Sequence, residues 1–143
     1  MAIKQLSVLV DNKKGALADI TDLLAKADVD LRAMSIADTQ DYGILRLIVS
    51  DINKAVEVLT ATEVIATITE VIAVAIDDRP GGLARVLRVL ADNHINMEYL
   101  YAFMARTEKH AYVVLRVEDN AAAESALEAA GFHLITDADV CKL

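Results

Sequence analysis

Residues 77–83, Asp-Asp-Arg-Pro-Gly-Gly-Leu, join an apolar run to an amphipathic stretch through two carboxylates, a cation and two glycines. The chemistry on offer is recognition of a small anion rather than bond breaking. N–H groups at a helix start lack intrahelical acceptors and sit at the positive end of the helix dipole. Gly81 and Gly82 carry no Cβ, so an anion can approach the backbone closely. The same residues also make an ordinary helix start, with Pro80 near the first turn and acidic residues before it. Asp78 would then act as a cap.

A second copy favours more than a turn. Residues 9–21, "LVDNKKGALADIT", repeat the pattern at a displacement of 66 residues, the distance from Asp11 to Asp77. Val8, Gly15, Leu17 and Leu24 fall on Val74, Gly81, Leu83 and Leu90. Further on the displacement becomes 68, and Leu47, Val49 and Asp51 meet Leu115, Val117 and Asp119. The chain is therefore a duplication with its seam near Thr69, giving modules 1–69 and 70–143.

Each half must build the same elements to position its loop. Leu6, Val8 and Val10 alternate, as do Ile72, Val74 and Ile76, which predicts a strand. Leu17, Ile20, Leu23 and Leu24 then recur at helical spacing, as do Leu83, Val86, Leu87 and Leu90. Second strands are expected in 29–39 and 95–105, third strands in 43–50 and 111–118. Short helices follow around 52–61 and 120–130, capped by Asp51 and Asp119, with Gly131 ending the second. Final strands are expected at 64–68 and 132–136. This order, βαββαβ twice, predicts an α+β fold of two ferredoxin-like modules, each an antiparallel sheet with helices on one face. Only Thr69 and Glu70 separate the halves.

Composition narrows the partners. A formal charge of −8 over 143 residues opposes nucleic acid and anionic membranes. No apolar run reaches the roughly 18 residues of a membrane span, and the N-terminal "AIKQLSVLV" has no signal-peptide anatomy. A single cysteine, Cys141, forms no internal disulfide, so the cytoplasm is the expected compartment. His94, His110 and His133 are scattered, and no metal site or cofactor is expected. No nucleophile–base pair supports an enzyme.

The motif D-x-x-P-G-x-L between first strand and first helix resembles that of the ACT domain. Asp77, Pro80, Gly81 and Leu83 match it, and "INMEYLYAF" resembles the family's second strand. In the first half Asp11, Gly15 and Leu17 match, with Lys14 in place of the proline. The whole chain is similar to the stand-alone tandem ACT proteins of bacteria. That resemblance implies a regulatory module that binds an amino acid at the interface between two modules. The loop of one module and the second strand of the other would hold it.

On this reading the ligand carboxylate meets the N–H groups of Gly81, Gly82 and Leu83, or Gly15, Ala16 and Leu17 in the sister loop. The ammonium suits Asp77 or Asp78, or Asp11 or Asn12. Met97, Tyr99 and Met34, with Ser35, would line the side chain. The second-half loop is expected to hold the better site, because Gly82 and Pro80 have become Ala16 and Lys14 in the first. Lys13 and Lys14 attracting the carboxylate directly is the rival. The expected partners are an amino acid, a metabolic enzyme and a second copy in a homodimer. The alternative is a ligand-free interaction module serving as a regulatory subunit. Residues 97–104 form a poorly protected edge, expected to pair with residues 31–38 or with another chain.

Overall fold

The computed structural model describes residues 1–38, 40–106 and 108–143. The elements are β1 (Ile3–Asp11), α1 (Ala16–Lys26), β2 (Leu31–Asp38), β3 (Tyr42–Val49), α2 (Ile52–Ala61) and β4 (Ala66–Asp77). There follow α3 (Gly82–Asp92), β5 (Met97–Arg106), β6 (His110–Val117), α4 (Asn120–Ala129), β7 (Leu134–Ile135) and α5 (Asp137–Val140). The chain divides into a first unit, Lys4–Thr69, and a second, Glu70–Leu143 together with Met1–Ile3. The N-terminal amine pairs with Glu124, which ties the first residues to the second unit.

In the first unit β3 lies between β1 and β2, antiparallel to both, with Leu6 opposite Leu47 and Met34 also opposite Leu47. The Leu9 N–H donates to the Ile65 carbonyl at 3.0 Å. Leu6, Val8, Val10, Leu45, Leu47 and Val49 present one face to Ile20 and Leu24 of α1 and to Ala55 and Leu59 of α2. The period-two and helical patterns thus meet in one core.

The second unit repeats this plan. β6 lies between β4 and β5, antiparallel to both, and β7 flanks β4. The Ala75 N–H donates to the His133 carbonyl at 3.0 Å, matching Leu9 and Ile65. Ile72, Val74, Val113, Leu115 and Val117 face Val86, Leu90, Ala123 and Leu127. The fold is α+β, with antiparallel strands and helices packed on them.

Local signals for the short helices hold. Asp51 caps α2 by accepting from the Lys54 N–H, and Asp119 caps α4 by accepting from the Ala122 N–H, each at 3.0 Å. Gly131 follows α4 with φ 86°. Three features differ from expectation. β4 runs unbroken from Ala66 to Asp77, so Thr69 and Glu70 are strand rather than a joint. β7 spans two residues instead of five. A terminal turn of helix, α5, follows it, closed by a capping box between Thr136 and Asp139. The second-strand stretch 29–39 ends at Thr39, outside the described residues.

Candidate functional site

The two strand-to-helix loops share one backbone design. Gly15 and Gly81 are the residues before α1 and α3, with φ 81° and 87°, and neither helix has a side-chain cap. Left-handed φ is costly for residues with a Cβ, so glycine stands at both positions. Asp78 therefore does not cap α3. Each loop also carries a tight turn: Lys13 N–H donates to the Asp11 carbonyl and Arg79 N–H to the Asp77 carbonyl, both at 2.9 Å. Asn12 and Asp78 are tied across to the neighbouring hairpin, their N–H groups donating to Asp41 and Lys109 carbonyls at 3.1 Å.

The expected anion donors divide. The Gly82 N–H donates to the Arg79 carbonyl at 3.0 Å, and the Ala16 N–H to the Lys13 carbonyl at 3.3 Å. Both are occupied within their turns. Among the described residues, no backbone acceptor faces the N–H groups of Gly81 and Leu83, or of Gly15 and Leu17. Of the three donors expected in each loop, two stand ready.

Gly82 has a further duty. A Cβ there would overlap the backbone carbonyl of Asp77, so α3 starts closer to its strand end than any other residue allows. The first loop accommodates Ala16 with the longer turn bond. The sequence reading assigned the Gly82-to-Ala16 change to ligand approach; packing against Asp77 is the contact that the structure describes.

The carboxylates are less available than the sequence alone suggests. Asp77 Oδ2 is bridged by Arg79 at 3.2 Å and Arg85 at 3.1 Å, and Arg85 also lies over the Phe132 ring, 5.5 Å from its centroid. Asp11 is paired with Lys13 at 3.3 Å. Asp78 and Asn12 are exposed, and the Asn12 side-chain amide donates to the Gln40 carbonyl at 3.3 Å. Sequence reasoning missed Arg85. Its signal was present, a cation eight residues after Asp77, but only the turn brings the two together.

Each loop opens beside a cleft within its own unit. Asp11, Lys13 and Ala16 line one of about 420 Å³ with Ile20, Leu23 and Ile65. Gly81 lines another of about 520 Å³ with Arg85, Arg88, Val89 and Phe132. Leu17 is exposed, while Leu83 packs against the core of the second unit. Pro80 is exposed in the turn. Of the strand residues, Met34 is exposed and Ser35 half-buried on β2, while Met97 and Tyr99 are half-buried on β5. Tyr101 and Phe103 are buried, and Phe103 stands edge-on to Tyr112. Arg116 is held by Glu98 at 3.2 Å within the second unit.

No described helix is long and apolar enough to cross a membrane, and no group of metal-ligating side chains occurs among the described residues.

The chain is similar to protein BT0572 from Bacteroides thetaiotaomicron: 36% identity, 100% of this chain and 98% of that chain covered, TM-score 0.93. The ligand-free regulatory subunit of aspartate kinase from Thermus thermophilus matches at 19% identity over 90% of each chain, TM-score 0.68. Aspartate kinase from Synechocystis matches at 24% identity over 90% of this chain and 25% of that one, TM-score 0.59. At those lower identities the likeness is one of fold alone. No curated protein matches the sequence. The family model described as an ACT domain pair matches residues 1–143, and the chain belongs to that family.

Proposed function

We propose that the chain is an amino-acid-binding regulatory protein that acts through a partner, built as two ferredoxin-like modules, 1–69 and 70–143. The observation that carries this reading is the pair of N–H groups without a backbone acceptor, that of the left-handed Gly81 and that of Leu83, on either side of Gly82 at the start of an α3 that belongs to an ACT domain pair. They suit a carboxylate. Asp78, exposed in the loop, is the carboxylate proposed for the ammonium. Met34 and Ser35 of β2, with Met97 and Tyr99 of β5, are proposed for the ligand side chain. The lone Cys141 suits a reducing compartment such as the cytoplasm.

The test is a thermal-shift screen of the whole chain against the twenty amino acids. At a concentration near 100 Kd one occupied site adds about 2.7 kcal/mol of stability. Asp78→Asn should reduce affinity for the hit at least about tenfold, the loss expected for one charge-assisted hydrogen bond, while Asn12→Ala should leave it unchanged. The reverse outcome would move the working site to the first loop.

One observation favours a second reading. Asp77 and Asp11 are both paired to cations, so one carboxylate in each loop has its counter-charge without a ligand. A ligand-free subunit of a metabolic enzyme would have such loops. The regulatory subunit of aspartate kinase among the fold neighbours names the class of partner to try. Absence of any shift would favour this reading.

A further inference from the structure

The displacement of 66 residues that lays Asp11 on Asp77 also lays α1 on α3, and it reverses the charges they expose. Asp19 meets Arg85, Asp22 meets Arg88 and Lys26 meets Asp92, whereas buried Ile20 and Leu24 meet buried Val86 and Leu90. All six charged residues are exposed.

In α1 the pattern is one that an isolated helix prefers. Asp19 in the first turn and Lys26 in the last oppose the helix dipole. In α3 the arrangement is inverted: the first turn holds no acid and the last no base. Asp77 offsets Arg85. The side chains of Arg88 and Asp92 have no ion-pair or hydrogen-bond partner among the described residues. Helix stability does not account for the charges that α3 carries.

The clefts beside the two helices follow the same rule. That beside α1 has Asp11, Asp19 and Glu63 on its rim, with Lys13, over Leu9 and Ile65, which are 41% and 64% exposed. That beside α3 has Arg85 and Arg88 on its rim and no acidic side chain. We propose that the Arg85/Arg88 face of one copy of the chain docks on the Asp19/Asp22 face and adjoining cleft of a second copy. Charge complementarity selects that occupant. At a net charge of −8, copies repel one another in general, and α3 supplies cations where α1 of another copy supplies carboxylates. Leu9 and Ile65 add apolar area to the contact. The proposal is independent of whether either loop binds an amino acid.

The experiment is sedimentation equilibrium of the full chain at low salt, where wild type should associate reversibly and raised salt should weaken it. Asp19→Arg/Asp22→Arg makes both faces basic, and Arg85→Glu/Arg88→Glu makes both acidic. Each variant alone should self-associate about tenfold more weakly or worse. An equimolar mixture should recover the wild-type affinity. Arg85 also serves Asp77, so Arg88→Glu and Asp22→Arg as single changes carry the test if circular dichroism shows a double variant unfolded. A monomeric wild type, undiminished self-association of the variants, or a mixture no tighter than its components would each overturn the proposal.

Discussion

A Cβ on Gly82 would overlap the backbone carbonyl oxygen of Asp77, while a Cβ on Gly81, one residue earlier, would meet open space at φ 87°. Adjacent glycines are thus required for different reasons, one for close approach and one for a left-handed backbone. Gly82→Ala should cost about 1–3 kcal/mol by forcing strand end and helix start apart. Gly81→Ala should cost about 1–2 kcal/mol from backbone strain. Urea denaturation measures both. An unchanged midpoint for Gly82→Ala would mean that the turn opens at no cost, and Ala16 would then need no special accommodation.

The caps provide a paired test of the duplication. Asp51→Ala and Asp119→Ala each leave one helix-start N–H, Lys54 or Ala122, without its carboxylate. Each should lose about 1 kcal/mol. Comparable losses are expected, since both bonds are 3.0 Å.

Asp77 holds Arg79 and Arg85 at the loop surface. These are exposed pairs, so Asp77→Asn should reduce stability by only about 0.2–1 kcal/mol. Its effect on ligand affinity should be smaller than that of Asp78→Asn. A larger effect at Asp77, measured by calorimetry with whichever amino acid binds, would reverse the assignment of the ammonium partner.

Acid should loosen α5 before the rest of the second unit. The Thr136 hydroxyl and N–H donate to Asp139 at 2.7 and 3.0 Å, which holds the Asp139 carboxyl below its ordinary value of 3.8. Lys142 and His133 add to the effect. A lowered folded value means that the stabilisation is fully present above 3.8 and is lost as pH falls through the folded value. The Val140 amide should show this fraying by NMR on acidification and no such change toward neutral pH. Asp139→Asn should remove the dependence.

β5 is an outer strand among those of its own unit, with β6 on one side. Residues 97–104 include Glu98 as their one charge and no proline. Such an edge invites pairing, and we expect it to pair with residues 31–38 or with another chain. Slow hydrogen exchange at successive amides along 97–104 is the expected result. Fast exchange throughout the segment would count decisively against it.

The local patterns were legible because they depend on neighbours in the chain. Leu6, Val8 and Val10 alternate whatever they pack against, and Ile20 and Leu24 share a helix face by spacing alone. Asp51 and Asp119 cap residues three positions away. The repeat was legible for the same reason, as one local pattern written twice. The loop's chemistry was only partly so. Its glycines marked a helix start open to close approach, but that Gly81 is left-handed, and which N–H groups remain unsatisfied, depends on how the turn closes: Gly82 is occupied by Arg79, and Gly81 and Leu83 are not. The partner of Asp77 lies eight residues on, and only the strand, turn and helix together bring Arg85 within 3.1 Å. The repeat placed its seam near Thr69, leaving Thr69 and Glu70 between the last strand of one half and the first strand of the next. Only the tertiary structure decided that β4 runs through them, since the extent of a strand depends on the fold around it and not on propensity alone.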